Sequence, residues 1–224
     1  MQIRDLHSWD ISPAAAADLQ RQLAGEVDGR TPLTRCALVA GADVSYNRFS
    51  KTIYAGVVVM NTADGTVVEN QGVVHETEFP YIPGFLSFRE APAVLKACKK
   101  LRTTPDVLML DGQGFAHPRR FGLACHVGLW LGLPCLGCAK SRLIGTHREP
   151  GQKAGSVAAL KDKDEVIGSV VRTRDGVQPV YVSVGHQIDL PSAVRVVLAA
   201  CRGCRLPEPA RQAHAHVNEL RRRG

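Results

Sequence analysis

Residues 106–139 read DVLMLDGQGFAHPRRFGLACHVGLWLGLPCLGCA, and this stretch decides the fold. Asp106 to Leu110 is a short apolar run of strand type. Pro118 to Leu131 carries a helical pattern, and Pro134 to Ala139 is a second strand-like run. Strand–helix–strand alternation implies parallel pairing through a right-handed crossover. Upstream lie three further strand-like runs, Cys36 to Tyr46, Ile53 to Met60 and Thr66 to Glu78. The connectors between them are short and hold Asn47 and Ser50, then Asn61, Asp64 and Gly65. Short connectors make these three an antiparallel meander. Ser87 to Leu101 reads as the helix that links the meander to the strand at 106–110.

Outward from this centre, Ser12 and Pro13 supply the cap and first turn of a helix over Ala14 to Val27. Val166 to Val171 and Pro179 to Val184 read as strands. Ser192 to Cys201 and Pro207 to Arg223 read as helices, and Glu149 to Asp164 as a mobile surface segment. The pattern predicts an α/β fold. A central mixed β-sheet, an antiparallel meander followed by parallel strands, is flanked by helices, with the first and fourth strands as central neighbours. A chain of 224 residues without a long linker fits a single domain over 1–224, with 1–35 as an N-terminal helical extension and 36–224 as the core.

Composition narrows the function classes. Apolar residues make up 45% and charged residues 22%, which excludes wholesale disorder. No apolar run reaches the ~18 residues of a membrane helix. The start, Met1 to Asp5, lacks the layout of a signal peptide. The net charge of +7 leans towards a polyanionic partner. Seven cysteines, an odd number, fit reduced thiols in a cytoplasm. The pairs Cys135/Cys138 and Cys201/Cys204 lie too far apart for a zinc ribbon, and the first sits in an apolar strand, so zinc is disfavoured.

Two acids stand out. Asp43 lies inside Val39-Ala40-Gly41-Ala42-Asp43-Val44, and Asp111 ends Val107-Leu108-Met109-Leu110-Asp111. A carboxylate in or just after an apolar strand is costly unless its charge is paired. Two of them on neighbouring strands suggest a shared cation site, and such oxygen ligands suit Mg²⁺ or Mn²⁺. Glu90 is a candidate third ligand, but Ser87-Phe88-Arg89-Glu90 also fits a capping box, which the spacing alone favours. His117-Pro118-Arg119-Arg120 opens a predicted helix, where N–H groups and arginines could receive phosphate. His126 and His186 read as structural histidines. In Pro80-Tyr81-Ile82-Pro83-Gly84, two prolines stiffen a loop that presents an aromatic ring.

Taken together these residues resemble the endonuclease V family, deaminated-base repair nucleases with an RNase H-like three-layer fold. The resemblance rests on Gly41 to Val44, Pro80 to Glu90, Asp111 to Gly114, His117 to Arg119, Gly137 to Lys140 and Arg205 to Pro209, in order from about residue 40 to 216. It implies that Asp43, Glu90 and Asp111 are metal ligands, which overrides the capping-box reading of Glu90. It further implies that Lys140 sits next to the scissile phosphate and that His214 faces the metal site from the C-terminal helix. Tyr81 would be the wedge that separates strands. Pro83, Gly84, Leu86, Gly112, His117 and Gly137 would contact the substrate or line the pocket for an everted base. Cys138 stands where relatives carry an aliphatic residue, which suggests oxidation sensitivity near the pocket.

The implied activity is a nick at the second phosphodiester 3′ to hypoxanthine, leaving 3′-hydroxyl and 5′-phosphate ends, in DNA repair. The cysteines separately point to a cytoplasmic protein, and the lack of an extra apolar helix for an interface points to a monomer. The implied cofactor is Mg²⁺, with Mn²⁺ as a substitute. Two alternatives remain open at this point: an inosine-specific endoribonuclease of the same family, acting on RNA, and a protein that binds nucleic acid without cutting it.

Overall fold

A computed structural model describes residues 1–47 and 50–223. The strands in chain order are β1 (Leu38–Tyr46), β2 (Thr52–Asn61), β3 (Val67–Glu76), β4 (Val107–Leu110), β5 (Cys135–Ala139), β6 (Val157–Asp162), β7 (Glu165–Val171) and β8 (Val180–His186). The helices are α1 (Pro13–Ala24), α2 (Leu86–Lys99), α3 (Leu123–Leu131), α4 (Leu190–Ala199) and α5 (Glu208–Arg223). One sheet contains all eight strands, in the order β3-β2-β1-β4-β5-β8-β7-β6.

The meander forms as the short connectors require, with β1 antiparallel to β2 and β2 to β3. β4 lies parallel to both β1 and β5, so the first and fourth strands are neighbours at the centre of the sheet. The side-chain period of two sorts each central strand between two cores. Leu108 and Leu110 pack with Ala40 and Ala42 under α2 and α3, whereas Val107 and Met109 pack with Val39 under α4 and α5. The result is three layers, the RNase H-like arrangement.

Four expectations need correction. The last three strands are antiparallel: β8 pairs antiparallel with β5, β7 with β8, and β6 with β7. The stretch Glu149 to Asp164, expected as a mobile surface segment, holds the edge strand β6. Its exposed residues hid the pattern, because only Leu160 is buried there. The helix expected from Pro118 begins at Leu123, after Arg120 takes a left-handed φ of 55°. Helix α1 ends at Ala24, short of Val27, with Gly25 as its C-cap.

Helix α5 lies unusually close to the meander, because glycines line its path. A Cβ at Gly41 would stand 2.1 Å from the Pro209 carbonyl oxygen, and one at Gly72 would stand 2.2 Å from Leu220 Cδ1. The absence of these methyls lets the helix descend onto β1, β2 and β3. This close approach sets the position of every α5 side chain that faces β1. We expect Gly41→Ala to lower stability by about 1–3 kcal/mol through overpacking, read as a lower urea midpoint. An unchanged midpoint would mean that α5 is not seated on this glycine.

Candidate active site

The carboxylates meet where β1 outruns β4. The pairing of these strands ends at Ala42 with Leu110, and the Asp111 N–H then donates to the Ala42 carbonyl at 3.1 Å. Asp43 and Asp111 therefore emerge side by side. Helix α2 brings Glu90 to the same edge from one face of the sheet, and α5 brings His214 from the other.

Burial and mutual repulsion dominate the electrostatics. Burial raises the Asp43 carboxyl above its ordinary range and the negative charge of Asp111 raises it further, partly offset by the hydrogen bond from His214. Glu90 is pushed up strongly, first by burial and then by the charges of Asp43 and Asp111. Lys140 is pulled down by burial, but its hydrogen bond to Asp111 and the nearby negative charges outweigh that and leave it raised. The site thus holds more negative charge than its own cations balance.

Each strand acid has a local partner. Lys140 Nζ donates to Asp111 Oδ2 at 2.5 Å. His214 Nδ1 donates to Asp43 Oδ2 at 2.7 Å, and the Val44 N–H donates to Asp43 Oδ1 at 2.8 Å. With Nδ1 as the donor, His214 Nε2 accepts from Asn218 Nδ2 at 3.0 Å, and Asn218 Oδ1 accepts from Ser45 Oγ at 3.1 Å. Neither Ser45 nor Asn218 belongs to a motif that the sequence reveals. Their signal was spacing: Ser45 shares the face of Asp43 two residues along the strand, and Asn218 lies one turn after His214.

The donor set fits a hard divalent cation, since it offers carboxylate oxygens whose charge Lys140 balances only in part. Among the described residues, no three His, Cys, Asp or Glu side chains already close around one point. Lys140 and His214 hold one oxygen of Asp111 and one of Asp43.

Beside the acids lies a cavity of about 340 Å³, within the ~300–1,000 Å³ usual for ligand sites. Tyr81, Pro83, Gly84, Leu86, Gly112 and His117 all line it, and Asp111 and Lys140 connect it to the carboxylates. Gln20 and Gln113, which the sequence does not mark as functional, line it as well. Gly137 does not. It is buried beneath the 112–114 loop, where a Cβ would stand 2.5 Å from the Gly112 carbonyl oxygen, so its role is to let that loop pack. Tyr81 is 63% exposed at the mouth.

Other expectations shift. Ser87 does not cap α2; the helix starts one residue earlier, Phe85 occupies the N-cap without a side-chain bond, and Ser87 Oγ pairs with His126 Nδ1 at 3.0 Å. The capping-box alternative for Glu90 therefore falls away. Arg119 and Arg120 do not open a helix: Arg120 pairs with Asp162 and Glu165, and Arg119 donates to Gln20 and to the Gly84 carbonyl. Cys138 is buried in the core under α4 and α5, where burial pushes its thiol up, so it behaves as a small hydrophobe and not as an oxidisable thiol. His126 is fully buried between Ser87 and His7, and His186 Nδ1 accepts from the Asp28 N–H.

His117 is also buried, and burial pulls its ring down to about 4, against the favourable bond to the Gly84 carbonyl. The unfolded chain therefore takes up this proton near pH 6.5, before the folded one does. Its contribution to stability is complete above pH 6.5 and is lost as pH falls towards 4. His117→Gln should flatten this dependence, changing the wild-type difference between pH 7 and pH 4 by about 3 kcal/mol in urea titrations. A wild type and variant with parallel pH profiles would contradict the assignment.

The sequence profile of the endonuclease V family matches residues 19–215. Endonuclease V of Dehalococcoides mccartyi is 47% identical over 220 residues, covering 98% of this chain and 99% of the relative. The crystal structure of endonuclease V from Streptomyces avermitilis superposes with a TM-score of 0.92 at 37% identity, covering 100% of this chain and 99% of that one. A variant of Ciona intestinalis endonuclease V was solved in complex with a 23-mer DNA containing an inosine followed by a ribo-adenosine. It gives a TM-score of 0.82 at 27% identity, covering 95% and 99%.

Proposed function

The chain belongs to the endonuclease V family, and from that premise we propose that it nicks DNA at the second phosphodiester 3′ to a deaminated base, hypoxanthine above all, leaving 3′-hydroxyl and 5′-phosphate ends. One observation carries this reading: three acids from three separate elements share an edge with a base-sized cavity, and Asp111 and Lys140 belong to both.

Asp43, Glu90 and Asp111 would hold a divalent cation, Mg²⁺ with Mn²⁺ as a substitute. When bound, it supplies a polarised water and compensates negative charge at the phosphate. The chain's own groups do the rest. Lys140 carries its positive charge to the rim of the cavity, where it stabilises charge building on the phosphate being cut. His214, held by Asn218, keeps Asp43 oriented. The exposed ring of Tyr81 wedges between strands as the lesion is extruded. A deaminated base pairs poorly, so unstacking it costs less than for a normal base. Gly84, Leu86 and Gly112, with Pro83 and His117, line the cavity that would receive the everted base. Backbone groups there would accept the hypoxanthine pattern and leave the extra amino group of guanine unaccommodated.

The same geometry supports one second reading. The Ciona complex carries a ribo-adenosine directly after its inosine, which favours tolerance of ribose at the cut and so an action on inosine in RNA. Matched inosine oligomers in DNA and RNA distinguish the two by their relative kcat/KM. The binding-only alternative is not favoured. We further propose a single unit over 1–224, with 1–35 as its helical extension, acting as a monomer in the cytoplasm. All seven cysteines are free thiols, which suits a reducing compartment. No helix among the described residues is long and apolar enough to cross a membrane.

Nicking of a labelled deoxyinosine oligomer should proceed in Mg²⁺ and stop in EDTA. Asp111→Ala should reduce turnover by at least about 100-fold while gel-shift binding survives. Wild-type turnover in that variant would overturn the site. Tyr81→Ala should raise KM for inosine in duplex by about 10-fold and leave inosine in single strands nearly unaffected. Equal losses on both substrates would remove the wedge.

A further inference from the structure

The loop that presents Tyr81 has few internal bonds. Pro80 and Pro83 lack N–H groups, and the Phe85 N–H to the Ile82 carbonyl, at 3.0 Å, is the backbone bond that closes the loop. Its two ends are tied down from outside. At the start, Arg89 Nη1 donates to the Phe79 carbonyl at 2.8 Å. At the finish, the Gly84 carbonyl collects three donors: His117 Nε2 at 2.9 Å, Arg119 Nη2 at 2.6 Å and Gln20 Nε2 at 3.2 Å.

Gln20 is the member of this cluster that comes from outside the motif blocks. It lies on α1, on the stripe Ala16, Gln20, Leu23 that faces the core, and it is 0% exposed. A polar amide on a buried apolar stripe must have its donors and acceptor satisfied, and here they are. Nε2 donates to Gly84 O and to Phe121 O at 2.9 Å, while Oε1 accepts from Arg119 Nε at 2.6 Å. Gln20 thus acts on the loop twice. It bonds the Gly84 carbonyl directly, and it fixes the guanidinium of Arg119, which also lies 4.2 Å over the Phe85 ring, so that Nη2 points at the same carbonyl. Gly84 itself sits at φ +81°, where any side chain is strained, and a Cβ there would stand 3.1 Å from Arg119 Nη2 and press on the clamp.

We infer that Gln20 is a positioning residue for lesion recognition: the amide on α1 clamps the Gly84 carbonyl and thereby holds the Tyr81 loop in the posture that separates strands. The inference rests on the wedge reading of Tyr81. Gln20 touches neither the carboxylates nor Lys140 in any hydrogen bond. Its effect therefore belongs to substrate capture and not to bond cleavage.

Steady-state kinetics on inosine in matched duplex and single-stranded DNA test this with Gln20→Leu, Gln20→Glu and Tyr81→Ala in parallel. Gln20→Leu keeps the volume and removes every bond. Gln20→Glu keeps the acceptor for Arg119, now charge-assisted, and removes the donors to Gly84 and Phe121; it reads the same role if the leucine variant does not fold. Both should raise KM for duplex by about 10-fold, with kcat within about twofold and single-strand parameters near wild type. Asp18→Ala, on the exposed side of α1, should match wild type throughout. Wild-type duplex KM in the glutamine variants, beside a selective defect in Tyr81→Ala, would overturn the role of Gln20 alone. Equal losses on duplex and single strand would overturn the role in strand separation, since Gln20 would then act through the cavity it lines or through folding. If Tyr81→Ala itself shows no duplex selectivity, the wedge reading fails and the assignment of Gln20 fails with it.

Discussion

Repulsion between carboxylates that the fold holds together against their own charge governs the rest of the molecule. The hydrogen bond from the Asp111 amide to the Ala42 carbonyl places the two strand acids at one edge, and neither can leave without breaking the central pairing of the sheet. Burial removes the water that would otherwise screen them, so Asp43 and Glu90 are both driven towards protonation. A site built this way stores a demand for positive charge. Lys140 and His214 meet part of it, and the proposed divalent cation would answer the remainder.

The three layers exist, in functional terms, to bring helices from opposite faces to that edge. Helix α2 carries Glu90 from the face shared with α3, and α5 carries His214 from the face shared with α4. The approach of α5 depends on missing methyl groups at Gly41 and Gly72. Strand pairing thus fixes Asp43 and Asp111, helix packing brings Glu90 and His214, and the cavity opens beside them. The buttress behind the Tyr81 loop extends the same logic to α1, which joins the recognition surface through one buried amide.

Much of this was legible in the sequence for physical reasons. The meander announced itself through short polar connectors, and the parallel centre through apolar strands separated by a helix. Asp43 and Asp111 were visible because a buried strand tolerates a charge only where something pairs with it. What escaped reading lacked periodicity or depended on a single residue of offset. β6 is an edge strand with one buried side chain, so its pattern resembled a surface loop. Ser87 has capping-box spacing, yet the helix starts one residue earlier and turns its hydroxyl to His126. Arg119 and Arg120 looked like a basic helix start, but Arg120 leaves helical geometry and both guanidinium groups are committed internally. Gln20 escaped reading because the groups that hold its amide, at Gly84, Arg119 and Phe121, lie far along the chain, and Asn218 because it reaches the site through His214, which only the family resemblance marked.

The most direct test of the central claim is a crystal structure with Mn²⁺ and uncleaved inosine DNA, with anomalous scattering recorded at the manganese edge. A manganese peak is expected in contact with carboxylate oxygens of both Asp43 and Asp111, beside Glu90, with the Tyr81 loop at the lesion. Manganese bound elsewhere, with the two aspartates still paired to His214 and Lys140 and touching no metal, would contradict a shared cation site.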